Sequence, residues 1–242
     1  MLDRSAIDAV VFDIGGVFLI PHGPSVRTWF DGEGFVVAVD DDAYHRAHYE
    51  GVRALAALDH RLAETDPEFW SHYDHAYLAA IGINEDRLVD ARAAFGRLFA
   101  APSLKMWTGV VEANVAGFAR IVASGMPTAI VSNNDGTAEA QLLEHKICQV
   151  GPGELSTVVC VVDSTLLGVA KPDPAIFTPA LEALGVEGDR ALYVGDTVHA
   201  DVAGARAAGL QVVQLDPYDL HADFDHARFP DVGALADWLL VP

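Results

Sequence analysis

Hydrophobic residues follow two rhythms along this chain. Short apolar runs closed by breakers occur at Ala9-Val10-Val11-Phe12, Thr128-Ala129-Ile130-Val131, Val158 to Val162, Ala191-Leu192-Tyr193-Val194 and Gln211 to Leu215. Runs of this length, rich in β-branched residues, predict buried strands, the last of them at a sheet edge. Elsewhere apolar residues recur at helical spacing, as at Val110, Val111, Val115, Phe118, Ile121 and Val122, where Gly125 ends the pattern. Further helices are predicted from about Gly136 to His145, Ala175 to Leu184, Ala200 to Ala208 and Val232 to Leu240. Regular alternation of strand and helix predicts an α/β fold, a mostly parallel sheet with helices on both faces.

One region breaks the alternation. After Val17-Phe18-Leu19-Ile20, the turn Pro21-His22-Gly23-Pro24 opens a stretch to Phe99 with helical spacing and few strand signals. Asp41-Asp42 precedes a face of Tyr44, Ala47, His48, Val52, Leu55 and Leu58. Thr65-Asp66-Pro67-Glu68 offers a cap and a first-turn proline, and Glu85 to Phe99 a third helix. The chain returns near Pro102 and Lys105-Met106-Trp107-Thr108-Gly109. The expected organisation is a core of residues 1–20 and 106–242 with a helical insert of residues 21–105. Trp29, Trp70 and Trp107 are expected in the cores of the insert and its hinges, which would be Pro21–Pro24 and Ala101–Thr108.

Composition narrows the function classes. The 242 residues are 51% hydrophobic and 21% charged, an ordinary globular balance. A formal charge of −20 repels a phosphate backbone and argues against nucleic acid as a partner. The two cysteines, Cys148 and Cys160, form no metal or disulfide framework. No leader-like N-terminus and no run of about 20 apolar residues is present. The expectation is a soluble cytoplasmic protein with no membrane partner, its oligomeric state open.

Chemistry gathers at the strand ends. The first strand ends in Asp13, the second in Ser132-Asn133-Asn134-Asp135, and a later one in Gly195-Asp196-Thr197 with Asp201 beyond. Lys171 lies in Val169-Ala170-Lys171-Pro172-Asp173-Pro174. Ligands of open α/β sheets bind beyond the carboxyl ends of strands. Phosphoryl transfer to an aspartate needs a carboxylate nucleophile, oxygen ligands for a hard metal, and donors with a cation for the phosphate charge. Each residue also has a structural reading. Ser132, Asp135 and Asp196 could cap helices, Lys171 could be a surface lysine, and Asp173 before Pro174 reads as an N-cap.

Taken in order, Asp13, Ser132, Lys171-Pro172, and Gly195-Asp196-Thr197 followed by Asp201 resemble the four motifs of the haloacid dehalogenase-like hydrolase superfamily. The resemblance extends through Gly168 to Phe177 and through Asp201 to Gly209. It implies a Rossmann-like, doubly wound core, a Mg²⁺ ion and phosphatase activity on a small phosphorylated metabolite, and likens the insert to the family's C1 helical cap. By the same resemblance Asp13 would attack phosphorus and become an aspartyl phosphate. Ser132, with Asn133, would bind the phosphoryl oxygens, and Lys171 would neutralise the transferring group. Asp13, the backbone carbonyl of Gly15 and Asp196 would hold Mg²⁺, with Asp201 joining or supporting them.

One position departs from the pattern. The family's second Asp, two residues after the nucleophile, is here Gly15. Gly15 keeps the carbonyl and loses the general acid, worth about 10²–10⁴ in rate. The family's dehalogenase branch carries Tyr there, which excludes that version. A slower phosphatase preferring good leaving groups is the resulting expectation. His22 and His199 are candidate substitute acids. A phosphotransferase or mutase of the same chemistry stays open, as does a phosphate-ligand sensor that lost turnover. In the insert, His48, Tyr49 and Arg53 are candidate substrate contacts. The pairs His45/His48 and His72/His75 have adjacent-turn spacing but no third or fourth ligand for a metal.

Overall fold

The computed structural model describes residues 2–56, 58, 67–99 and 106–240. In chain order its first elements are β1 (Ala9–Phe12), β2 (Leu19–Pro21), α1 (Gly23–Gly32), α2 (Asp41–Leu55), α3 (Pro67–Ala80), α4 (Leu88–Phe99), β3 (Trp107–Val110) and α5 (Glu112–Ala123). There follow β4 (Thr128–Ser132), α6 (Ala138–Glu144), β5 (Cys148–Val150), β6 (Ser156–Val158), β7 (Val161–Asp163) and α7 (Ser164–Leu167). The chain closes through α8 (Thr178–Leu184), β8 (Ala191–Gly195), α9 (Ala203–Ala207), β9 (Gln211–Leu215), β10 (Ala227–Phe229) and α10 (Val232–Leu240). Two compact units result, one of Met1–Phe18 with Val111–Pro242 and one of Leu19–Val110. The boundaries differ from those expected at 20/21 and 105/106 because β2 pairs antiparallel with β3, and both go with the second unit.

The first unit is built on a six-stranded sheet of order β10-β9-β8-β1-β4-β7, parallel throughout. All four residues of β1 are buried, as parallel strands covered on both faces require. On one face Val11, Val131 and Tyr193 pack with Ile176, Phe177 and Ala205. On the other, Phe12 and Phe18 meet Phe118 of α5, each with ring centroids 5.2 Å from it. From β1 the sheet grows one way through β4 and β7 and the other way through β8, β9 and β10. The carboxyl end of β1 therefore lies at the switch point where such sheets bind ligands.

Three expectations are corrected. The strand foreseen from Val158 to Val162 is two. Val158 pairs with Val150 in a small separate sheet, while Val161 pairs with Ile130 in the main one, and the exposed Val159 marks the break between partners. The strand at Gln211–Leu215 is interior, because the three residues of β10, too short a signal to foresee, cover it. The apolar face begun at Val110 starts instead as the strand β3, and its helix begins at Glu112.

In the second unit an aromatic core joins Phe30, Phe35, Tyr44, Phe69, Tyr73, Tyr77 and Phe95 with aliphatic residues of all four helices. Asp40 caps α2 by accepting from the Ala43 amide at 3.0 Å, and Asp41 and Asp42 favour its N-terminal dipole. Trp29 and Trp107 are half-buried against this core, with Trp29 Nε1 donating to the Ala94 carbonyl at 2.9 Å. Trp70, expected in a core, is 36% exposed, its ring against the edges of Phe69 and Tyr73. Pro24 lies in the first turn of α1, so the Pro21–Pro24 segment is a strand end and a helix start. Thr65, Asp66 and residues 101–105, including Pro102 and Lys105, lie outside the described residues. Among the described residues no helix is long and apolar enough to cross a membrane.

Candidate active site

The site is built by parallel register. Phe12 is level with Ile130 of β4 and Val194 of β8, so Asp13, Ser132 and Asp196 leave the sheet at one edge. Asp13, Ser132, Lys171, Asp196 and Asp201 are all buried. Buried charges persist only when paired. Lys171 Nζ is 2.8 Å from Asp13 Oδ2 and 2.7 Å from Asp201 Oδ1. It also donates to the Tyr193 hydroxyl at 2.9 Å.

Neighbouring backbone fixes this lysine. Asn133 Oδ1 accepts from the Lys171 amide at 2.8 Å, and Asn133 Nδ2 donates to the Lys171 carbonyl at 3.1 Å. Asn133, expected at the phosphate, thus commits its side chain to Lys171's main chain. Asp173 caps the turn that follows by accepting from the Ala175 amide at 2.9 Å. Asp135 accepts from the Thr137 amide at 3.2 Å ahead of α6, while Ser132 stays in the strand.

Asp201 uses both carboxylate oxygens. Oδ1 meets Lys171 and, at 3.0 Å, Tyr193 Oη; Oδ2 accepts from the Thr197 amide at 2.8 Å, Thr197 Oγ1 at 2.7 Å and the Asp196 amide at 3.1 Å. Asp13 Oδ1, by contrast, is buried without a hydrogen bond. Gly16 has φ +65°, and a Cβ there would lie 1.9 Å from Asp196 Oδ2, so only glycine lets the turn after Asp13 pass this carboxylate.

Asp13, Asp196 and Asp201 each offer an oxygen within 4.8 Å of the others. At that distance each pair of ionised carboxylates repels by about 3 kcal/mol with an effective dielectric near 20. Burial, reinforced by Asp201 and Asp196 and opposed by Lys171, pushes the Asp13 carboxyl up to about 7. Burial and Asp201 raise Asp196 well above the carboxylate range. For Asp201, burial is outweighed by Lys171 and by the Thr197 hydrogen bonds, which hold it low. Burial opposes the Lys171 charge, yet Asp13 and Asp201 outweigh it and hold the ammonium above its usual range.

Three carboxylates against one ammonium leave two excess negative charges when all are ionised, which a divalent cation balances. The all-oxygen donor set and the orphaned Asp13 Oδ1 fit a hard divalent ion. Gly15, half-buried, follows Asp13 by two residues on the same turn.

The remaining candidates are placed by their own elements. His199 is half-buried in the π-type turn Val198–Val202, two residues before Asp201. In the second unit His22 Nδ1 is 2.7 Å from Ser25 Oγ. There His48 and Tyr49 are buried and Arg53 is half-buried, with His48 Nδ1 2.9 Å from Tyr73 Oη. Among the described residues the histidines join no three-ligand group able to hold a metal. Motif reading passed over Tyr193 and Gln214. Each is a polar side chain fully buried in an aliphatic strand, and that contrast is the signal that marks them.

Comparison with known proteins follows the geometry. A model of the haloacid dehalogenase-like hydrolases matches residues 7–209. The phosphoglycolate phosphatase of Rhodospirillum rubrum is 32% identical over 253 residues, spanning 97% of this chain and 91% of that protein. A phosphoserine phosphatase of Thermus thermophilus is 43% identical over 67 residues, 28% of this chain and 27% of the relative. Among solved structures, the HAD-hydrolase YfnB of Bacillus subtilis bound to magnesium has TM-score 0.60 at 16% identity, covering 97% of this chain and 99% of its own. A dehalogenase with intermediate complex has TM-score 0.59 at 19% identity, covering 100% of both chains. These two likenesses are of fold.

Proposed function

Because the chain belongs to the haloacid dehalogenase-like hydrolases, and with its phosphatase relatives is a phosphoric monoester hydrolase, we propose that it dephosphorylates a small metabolite with Mg²⁺, through Asp13. The observation that carries this reading is the buried Asp13 carboxylate, 2.8 Å from Lys171 Nζ, at the switch point of a parallel sheet.

In this mechanism an Asp13 carboxylate oxygen attacks phosphorus. The bond from phosphorus to the leaving oxygen breaks, and the phosphoryl group is carried on Asp13. Water then attacks that phosphorus, releasing phosphate and restoring the carboxylate. Lys171 offsets negative charge on the nucleophile and the transferring group, and Asn133 holds the lysine's main chain. Ser132 donates to a phosphoryl oxygen. Asp13, Asp196 and the Gly15 carbonyl would hold Mg²⁺, with Asp201 orienting Lys171 and the Asp196 loop. The ion supplies the positive charge that lets carboxylate and phosphate, both anions, meet.

Gly15 shapes substrate choice. Without an acid at that place, the leaving oxygen departs with less help, so aryl, acyl or anomeric phosphates should outpace alkyl ones. A plot of turnover against leaving-group pKa should be steep; a flat one sinks this part. Phosphoglycolate and phosphoserine head the metabolite panel because relatives carry those names.

The deciding assay is phosphate release from an aryl phosphate with Mg²⁺. Release by the wild type and its loss in Asp13→Asn support the proposal. No release by the wild type overturns it and favours the ligand-sensor reading that Gly15 motivates. Transfer products with added alcohols would identify a phosphotransferase instead.

A further inference from the structure

Gln214 is fully buried on β9, where its register partner on β8 is Gly195. An amide in such surroundings costs about 1–3 kcal/mol unless its groups are bonded. Its Nε2 donates to the main-chain carbonyl of Asp196 at 2.7 Å. Its Oε1 lies 2.6 Å from Nε2 of the buried His226, just before β10. The direction of this chain is fixed by chemistry. A carbonyl can only accept, so the Gln214 amide nitrogen faces Asp196. Gln214 Oε1 can then only accept, so His226 bears its proton on Nε2.

We propose that Gln214 and His226 are positioning residues for the divalent cation, acting through the Asp196 main chain. Asp196 is held at both ends: its amide donates to Asp201 Oδ2 at 3.1 Å and its carbonyl accepts from Gln214. With both peptide groups pinned, the Asp196 carboxylate is presented in one orientation beside Asp13. His226 orients the amide of Gln214 and so keeps its donor on Asp196. Burial, aided by the cations Arg206 and Arg228, pushes His226 down to about 4, consistent with a neutral ring that donates from one nitrogen. The inference rests on the metal reading above and extends it by two side chains that lie on a neighbouring strand and its edge.

The test is calorimetric titration of Mg²⁺ into the wild type, Gln214→Met and His226→Phe without substrate, with urea unfolding of each metal-free protein alongside. Loss of a side chain that orients a metal ligand weakens affinity by about 10–100-fold. Gln214→Met should bind Mg²⁺ at least about tenfold more weakly, with His226→Phe in between. A purely structural role would move the urea midpoint and leave the Mg²⁺ affinity alone. Affinities within about twofold of wild type in both variants overturn the inference, whatever the midpoints do. If Gln214→Met does not fold, His226→Phe decides by the same criterion. A wild type that takes up no Mg²⁺ removes the metal reading and this inference together. A wild type that binds, with variants that bind equally, removes this inference alone.

Discussion

Lys171 in the first unit and His48 in the second are buried in opposite ways. At the sheet edge Lys171 is buried among carboxylates and stays charged; in the helical unit His48 is buried among Tyr49, Tyr73 and Trp107 and stays neutral. Burial drives the His48 ring down to about 3. The first arrangement gathers three carboxylates around one ammonium, an imbalance that a divalent counter-ion would offset. The second surrounds His48 with aromatic rings. Burial of a titratable group thus carries functional meaning only together with the charges around it.

The largest test of this contrast removes the lysine. Lys171→Met leaves Asp13 and Asp201 buried without their cation, which should cost about 3–5 kcal/mol. Urea unfolding should show that loss, with Mg²⁺ recovering part of it. No loss of stability would mean the carboxylates are not held by charge.

A pair of glycine variants sharpens the comparison. A Cβ at Gly16 would meet the Asp196 carboxylate, and one at Gly51 would lie 2.5 Å from the Tyr73 ring. Both variants should lose about 1–3 kcal/mol, Gly51→Ala from overpacking alone. Only Gly16→Ala should also weaken Mg²⁺ affinity, so equal Mg²⁺ binding by both would erase the distinction between the units.

The smallest expected effect is acid sensitivity. Between about 6.5, the ordinary histidine value, and about 3, the unfolded chain protonates at His48 while the folded one does not. Its contribution to stability is therefore complete above about 6.5 and lost as pH falls. His48→Phe should cost about 1 kcal/mol at pH 7, since Tyr73 loses its partner. It should also narrow the drop in urea midpoint between pH 7 and pH 5, and an unchanged drop would argue that His48 is protonated in the fold.

Much of the sheet edge was legible in the sequence because its chemistry is tied to short motifs at strand ends. Asp13, Lys171, Asp196 and Asp201 converge as their order predicts. What escaped depends on partners remote in sequence. Tyr193 reaches Lys171 and Asp201 only because β8 lies beside β1, and Gln214 reaches Asp196 only through the β8–β9 register. The break at Val159 was illegible for the same reason, since one apolar run serves two sheets. The Tyr73 and Trp107 neighbours of His48 were illegible too, because helical spacing gives a face and cannot tell which side chains fill it.

The place of β1 in the middle of the sheet also governs how the protein is made. Val10 pairs with Thr128 on one side and Leu192 on the other. β1 must therefore wait for β4 to be made before gaining any neighbour in its sheet, and longer for β8. Nascent chains halted before β4 should expose Val10, Val11 and Phe12 to chaperones, while the segment from Leu19 to Val110 can already be collapsing on its own.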